Sequence, residues 1–126
     1  MARILLVEND PLQALLRKST LEEHFDRVER VANAAEALCL IEQAQFAAEL
    51  GLVVCGPQQP GFGGADFVTE LRARLPRIPV LVLGGSGEGP EAYGKENTRF
   101  LGWPVGNEEL LAAAAKMLRG SARTTA

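Results

Sequence analysis

Residue types that bind metals are scarce in this chain, and their scarcity excludes one class of site. The 126 residues include two cysteines, Cys39 and Cys55, and a single histidine, His24. These residues share neither a metal-ligand spacing nor a CxxC pattern. Metal binding through thiolate or imidazole is therefore excluded, and we expect His24 to be a solvated residue near the end of the first helix.

Long apolar runs are also lacking. The longest uninterrupted runs, Ile4–Val7 and Val80–Leu83, fall far short of the roughly 20 residues that a membrane span needs. Glu8 and Asp10 follow the first run at once, so the amino terminus does not resemble a signal peptide. We therefore expect a cytoplasmic protein that does not contact a membrane.

An excess of positive charge is the third absence. The 13 Lys and Arg residues are scattered and are outnumbered by 16 Asp and Glu, which gives a formal net charge of −3. No basic stripe is present to neutralise nucleic-acid phosphates, so we expect no nucleic-acid binding by this segment. The balance of 47% hydrophobic and 23% charged residues is that of a folded globular protein, and the length suits one domain.

What the chain does contain is an alternation of short apolar runs and amphipathic segments. Continuous apolar runs are typical of strands covered on both faces, as in a parallel sheet. Strands are predicted over 3–7, 27–31, 50–55, 78–83 and 99–102, with the second nearer an edge. Helices are predicted over about 11–24, 34–45 and 65–75 and between residues 107 and 120, with a weak short helix over 91–97. This order predicts a single doubly wound α/β domain, in which a five-stranded parallel sheet carries helices on both faces.

Residues at the helix ends set the predicted boundaries. Asp10 is a good N-cap and Pro11 a good first residue for the first helix, in which leucines follow at helical spacing. Asn107 is predicted to cap the last helix and Gly120 to stop it. We therefore expect the domain to cover residues 1–120, and residues 121–126 to be a tail or the start of a linker.

The loops at the carboxyl ends of the strands are where function gathers in a doubly wound sheet. Four segments there, in order and over about residues 3–119, are ILLVENDP (4–11), PGFGG (60–64), IPVLVL (78–83) and FLGWP (100–104). Together they resemble the landmarks of response-regulator receiver domains, the CheY-like, flavodoxin-like (βα)5 modules of two-component phosphorelay signalling. The resemblance implies phosphoryl transfer from a phosphohistidine to an aspartate at the end of the third strand, assisted by Mg²⁺.

The phosphoacceptor pocket that the resemblance implies is degenerate in this sequence. The acceptor aspartate falls on Gly56, which has no side chain. The first acidic position is kept as Glu8, whereas the second, usually a direct cation ligand, is Asn9. Its neutral amide binds Mg²⁺ less well than a carboxylate does.

The other positions of the pocket depart as well. The hydroxyl position is Gly84, and the lysine position is Trp103, whose apolar ring cannot replace a point charge. Trp103 either fills the vacated pocket or is exposed as an anchor for a partner. Phe100 keeps the position of the switch aromatic, and the resemblance implies a cis peptide before Pro104.

These departures predict a pseudo-receiver that is not an enzyme, has no catalytic residue and needs no cofactor. We expect an interaction module that works without phosphorylation and binds a protein partner: a signalling protein, an output domain or a second copy of the chain. Two alternatives stay open, namely Mg²⁺-dependent acceptor chemistry displaced to Glu8 or Asp10, and a small-ligand sensor that uses the Gly84–Gly89 loop. For Asp10 the N-cap role is preferred. Cys55 is expected to be a small buried hydrophobic residue, and Cys39 to be exposed.

Overall fold

The predicted parallel sheet is confirmed by the computed structural model, which describes residues 3–56, 64–84, 97–102 and 105–125. The five strands are all parallel and lie in the order β2-β1-β3-β4-β5, so β2 is at an edge as expected. The elements are β1 (Arg3–Val7), α1 (Pro11–Glu22), β2 (Val28–Val31), α2 (Ala34–Ile41), α3 (Ala44–Glu49), β3 (Leu50–Cys55), α4 (Gly64–Arg74), β4 (Val80–Leu83), β5 (Thr98–Leu101) and α5 (Asn107–Thr125).

Helices cover both faces of the sheet, and each face has its own apolar core. Successive strand residues point to opposite faces, so a central strand contributes to both cores. Leu5 and Val53 pack with residues of α2, α3 and α4, whereas Leu6 and Val54 pack with residues of α1 and α5. All six residues of β3 are buried, which explains why this strand is an unbroken apolar run in the sequence.

The predicted helix over 34–45 is two helices. The chain leaves helical geometry at Gln43, whose φ of −79° and ψ of 118° are extended, and α3 then starts at Ala44. The break places Phe46 in the core, where it is 5% exposed, and leaves Gln45 exposed. A continuous helix would have been expected to turn Gln45 inward, so burial of the large ring is what the break achieves.

Three leucines of α1 mark a helix, but they do not face the sheet. Leu12, Leu15 and Leu16 are 61%, 66% and 53% exposed. The buried residues of α1 are Ala14, Arg17, Thr20 and Leu21. The inward stripe of this helix therefore contains a charged side chain, which sequence reasoning did not identify.

The last helix extends farther than the sequence indicates. It begins at Asn107 itself and continues through residue 120 to Thr125, so the prediction that Gly120 stops it is wrong. A glycine inside a helix costs about 1 kcal/mol relative to alanine, which is too little to end a long helix by itself. In the described parts of the chain, no helix combines the length and the apolar character needed to cross a membrane.

Candidate functional site

The carboxyl ends of β1, β3 and β4 bring three residues to one edge of the sheet. Glu8, Gly56 and Gly84 each follow the last residue of their strand, and each donates its backbone N–H to a carbonyl of the neighbouring strand, at 2.8–3.0 Å. The ladder therefore extends one residue beyond the strands. All three residues are buried.

The carboxylate of Glu8 lies over Gly56. A Cβ built on Gly56 would be 2.8 Å from the carboxyl carbon of Glu8 and closer still to Oε1. Real Cβ atoms do not approach other atoms this closely, so a side chain at position 56 would require Glu8 to move. At this point of the sheet, the space next to the tip of β3 is occupied by the side chain of the residue that follows β1.

Two groups hold the Glu8 carboxylate in place. The backbone N–H of Asp10 donates to Oε2 at 3.2 Å, and Nε of Arg17 lies 3.5 Å from Oε1. The side chains of Glu8 and Arg17 are 3% and 8% exposed, so this is a buried ion pair between β1 and the inward face of α1. Arg30 on β2 fixes the same loop from outside, since its Nη2 donates to the carbonyl of Glu8 at 2.8 Å.

Burial governs the ionisation of this pair. Removal from water raises the pKa of the Glu8 carboxyl above its ordinary value, against the opposing effects of the Asp10 N–H and the Arg17 charge. Burial also lowers the pKa of the Arg17 guanidinium, which the Glu8 charge opposes. Each charged form is therefore disfavoured by burial and favoured by its partner.

Asp10 has the role of an N-cap. Its Oδ1 accepts the backbone N–H of Leu12 at 2.9 Å and that of Gln13 at 3.3 Å, and Pro11 is the first residue of α1. These bonds satisfy backbone donors that the first turn of a helix leaves unpaired. The preferred interpretation of Asp10 is therefore confirmed.

The ring of Phe100 lies over Gly84. A Cβ built on Gly84 would be 2.8 Å from both Cε atoms of the ring and closer to Cζ. Phe100 is half-buried and packs against the core that faces α2, α3 and α4. The space that a side chain at position 84 would need is thus taken by a side chain from β5.

The two cysteines are in contrasting surroundings, as predicted. Cys39 is exposed, whereas Cys55 is buried at the end of β3, and burial raises the pKa of its thiol to about 12. A thiol with this pKa stays protonated at neutral pH, so Cys55 is a poor nucleophile.

The acidic residues at this edge do not fit a Mg²⁺ ion. Mg²⁺ requires oxygen ligands in near-octahedral geometry at about 2.0–2.1 Å. Oε2 of Glu8 accepts a backbone N–H, Oε1 faces a guanidinium, and Oδ1 of Asp10 caps α1. Within the described ranges, no group of three or more His, Cys, Asp or Glu residues could hold a metal ion.

Several predicted features lie outside the described residues. These are the turn over 57–63, residues 85–96 with the Gly-rich loop and the weak helix, and the Trp103–Pro104 peptide with its predicted cis bond. They stay predictions.

Arg17 is the residue of the site that sequence reasoning missed. A signal for it was present, because Ala14, Arg17 and Leu21 recur at intervals of three and four and so share one face of α1. The leucines at positions 12, 15 and 16 form a competing and more apolar stripe. Only the packing of α1 on the sheet distinguishes the two faces.

The parallel sheet order β2-β1-β3-β4-β5 defines a flavodoxin-like doubly wound fold. A receiver domain protein from Clostridium thermocellum has the same fold, with a TM-score of 0.88 and 20% identity over 98% of this chain and 99% of that one. A CheY-like receiver domain protein from Methanospirillum hungatei JF-1 gives a TM-score of 0.83 and 22% identity over 98% of each chain.

Sequence comparison shows the family. The family model for the response regulator receiver domain matches residues 4–115, so the chain belongs to this family. The chain is also 31% identical over 84 residues to the hydrogenase transcriptional regulatory protein HoxA of Cupriavidus necator, a match that covers 67% of this chain and 16% of that protein. It thus spans about a sixth of the length of that curated relative. Receiver domains are in general signalling modules of two-component systems, and they interact with proteins such as kinases and output domains.

Proposed function

We propose that this receiver domain is a phosphorylation-independent protein-interaction module and not an enzyme. The observation that carries the proposal is the position of the Glu8 carboxylate over Gly56. The resemblance places the phosphoacceptor at Gly56, and the side chain that would carry the nucleophile is replaced there by a carboxylate held in a buried ion pair.

The packing of Phe100 supports the same conclusion. The resemblance places the hydroxyl that would contact a phosphoryl group at Gly84, where the Phe100 ring now occupies the space. Two positions of the implied pocket are therefore filled by neighbouring side chains of the same domain. Because the Phe100 ring is already packed over Gly84, its inward position does not require a phosphoryl group.

The partner we propose is a signalling protein or an output domain, in the cytoplasm. The relatives illustrate the second type: HoxA is named as a transcriptional regulator, and a solved two-component response regulator with a GGDEF domain is matched over 50% of its chain, with a TM-score of 0.81 and 22% identity. In both, a receiver-like region forms part of a longer polypeptide. The net charge of −3 supports contact with protein rather than with nucleic acid.

The test is incubation with labelled acetyl phosphate and Mg²⁺, and with beryllofluoride and Mg²⁺, alongside a receiver domain that accepts both under the same conditions. We expect no stoichiometric labelling and no change in the NMR signals of Gly56, Gly84 and Phe100. Stoichiometric labelling would overturn the proposal. Loss of such labelling in Glu8→Gln or Asp10→Asn would then assign the displaced chemistry to that carboxylate.

A further inference from the structure

The ion pair between Glu8 and Arg17 joins the loop after β1 to the inward face of α1. Oε1 of Glu8 and Nε of Arg17 are 3.5 Å apart, and both side chains are more than nine-tenths buried. Neither of these two atoms has a hydrogen-bond partner within the described part of the chain. Their compensation is therefore mainly the attraction between opposite charges.

A buried carboxylate at this place needs a positive charge nearby. An isolated buried charge is strongly unfavourable, and a buried charge that persists is paired or bound to a metal. Of the charged side chains near Glu8, Arg30 is directed to its backbone carbonyl, whereas Arg17 approaches the carboxylate itself. The helix α1 supplies this cation from its inward face.

The guanidinium and a divalent cation exclude one another at Oε1. A Mg²⁺ ion bound to this oxygen would lie no farther than about 6 Å from Nε of Arg17, because Mg–O bonds are about 2.1 Å long. Two positive charges at that distance repel strongly where water is excluded. The negative charges near such an ion would be those of Glu8 and Asp10 alone, since Asn9 is a neutral amide and Gly56 has no side chain.

We infer that the Arg17 guanidinium takes the place of the divalent cation beside Glu8, so that this receiver domain carries an internal cation and does not bind Mg²⁺ there. The inference rests on the proposed function and deepens it. Phosphoryl transfer to a receiver domain is assisted by Mg²⁺, and a site that holds no divalent cation lacks that assistance. It assigns to Arg17 a role in the site that nothing in the family resemblance gives it.

The experiment measures the thermal unfolding midpoint in EDTA and in rising MgCl₂ at constant ionic strength. The midpoint of the wild-type chain should not rise with Mg²⁺. Arg17→Met should unfold at a lower temperature in EDTA. Its midpoint should rise by about 4 °C once Mg²⁺ exceeds its dissociation constant about tenfold, and should then continue to rise with the logarithm of the Mg²⁺ concentration. The double variant Glu8→Gln/Arg17→Met should show no rise, because the ligand is gone.

Lys18→Met is the matched control, since it removes the neighbouring cation of α1, which pairs with Glu22 at the surface. It should behave as the wild type does in Mg²⁺. A midpoint that rises with the logarithm of the Mg²⁺ concentration in the wild type, or a folded Arg17→Met whose midpoint does not respond to Mg²⁺, would overturn the inference. If Arg17→Met does not fold, Mn²⁺ added to the wild type decides, because selective broadening of the Glu8 and Gly56 NMR signals contradicts the inference and its absence supports it.

The outcomes also separate this inference from the proposed function. A wild-type chain that binds Mg²⁺ but takes up no phosphoryl group contradicts only the role of Arg17. A wild-type chain that is labelled by acetyl phosphate contradicts the proposed function, whatever its response to Mg²⁺ alone.

Discussion

The ring of Phe100, on β5, occupies the space directly above Gly84, at the end of β4. A Cβ at position 84 would lie 2.8 Å from both Cε atoms of the ring, well inside van der Waals contact. The two residues are therefore complementary: the ring packs inward because residue 84 has no side chain. This contact depends on neither a ligand nor a modification.

The first prediction concerns this contact. Gly84→Ala should destabilise the domain by about 1–3 kcal/mol, because the added methyl group displaces the ring or the backbone. Gly102→Ala is the matched control, since a Cβ there would meet nothing within 4 Å. Urea unfolding measures both variants. In a Phe100→Ala background the Gly84→Ala cost should largely vanish, and equal costs for the two glycines in the wild type would disprove the packing argument.

The second prediction separates the charges of the buried pair. Arg17→Met alone should cost about 3–5 kcal/mol, because Glu8 is left buried without its cation. The double variant Glu8→Gln/Arg17→Met should recover most of this loss, because no buried charge remains. Denaturant unfolding in EDTA of the wild type, Glu8→Gln, Arg17→Met and the double variant gives the coupling energy between the two side chains. A double variant as unstable as the sum of its singles would show that the two side chains act independently.

The sheet could be predicted from the sequence because its signals are local and agree with each other. The apolar runs of β1, β3 and β4 are long enough to be strands and too short to be helices, and caps such as Asp10 mark where α1 begins. Element ends are weaker signals. The break after Ile41 depends on where Phe46 can be buried. The continuation of α5 past residue 120 depends on the small free-energy cost of a glycine inside a helix. Neither feature can be predicted from the periodicity of the sequence.

The candidate site could be predicted only in part. The resemblance to receiver domains assigns Glu8, Gly56 and Gly84 to the pocket, and the parallel topology brings these three strand ends together. The filling of the site could not be foreseen, because it depends on side chains that arrive from α1 and β5. The leucines at positions 12, 15 and 16 would be expected on the inward face in place of Arg17, because a charged side chain is rarely buried.

The third prediction concerns thiol reactivity. At pH 8 one thiol per folded chain should react with a disulfide reagent such as Ellman's reagent, because Cys39 is exposed while the buried Cys55 has its pKa raised to about 12. Cys39→Ser should abolish the rapid phase, and Cys55→Ser should leave it unchanged. Both thiols should react after unfolding in denaturant. Two rapid phases in the folded wild type would contradict the burial of Cys55.

The fourth prediction concerns the start of the sheet, where Glu49 joins α3 to β1 and to the loop before β2. Its carboxylate accepts a hydrogen bond from Arg27, and its Oε1 lies 3.1 Å from Nη2 of Arg3. The hydrogen bond from Arg27, followed by the charges of both arginines, lowers the pKa of Glu49 below its ordinary value of 4.5. The folded state therefore favours the ionised form.

The sign of the pH dependence follows. A carboxyl whose pKa is lower in the folded state contributes stability above its unfolded pKa, and this contribution is lost as the pH falls through and below that value. The difference in the free energy of unfolding between wild type and Glu49→Gln should therefore be constant near neutral pH and shrink from about pH 5 downward. Urea unfolding between pH 7 and pH 3 measures it. The same comparison in an Arg27→Met background should give a smaller difference, and a difference that does not change with pH would show that Glu49 gains nothing from its arginine partners.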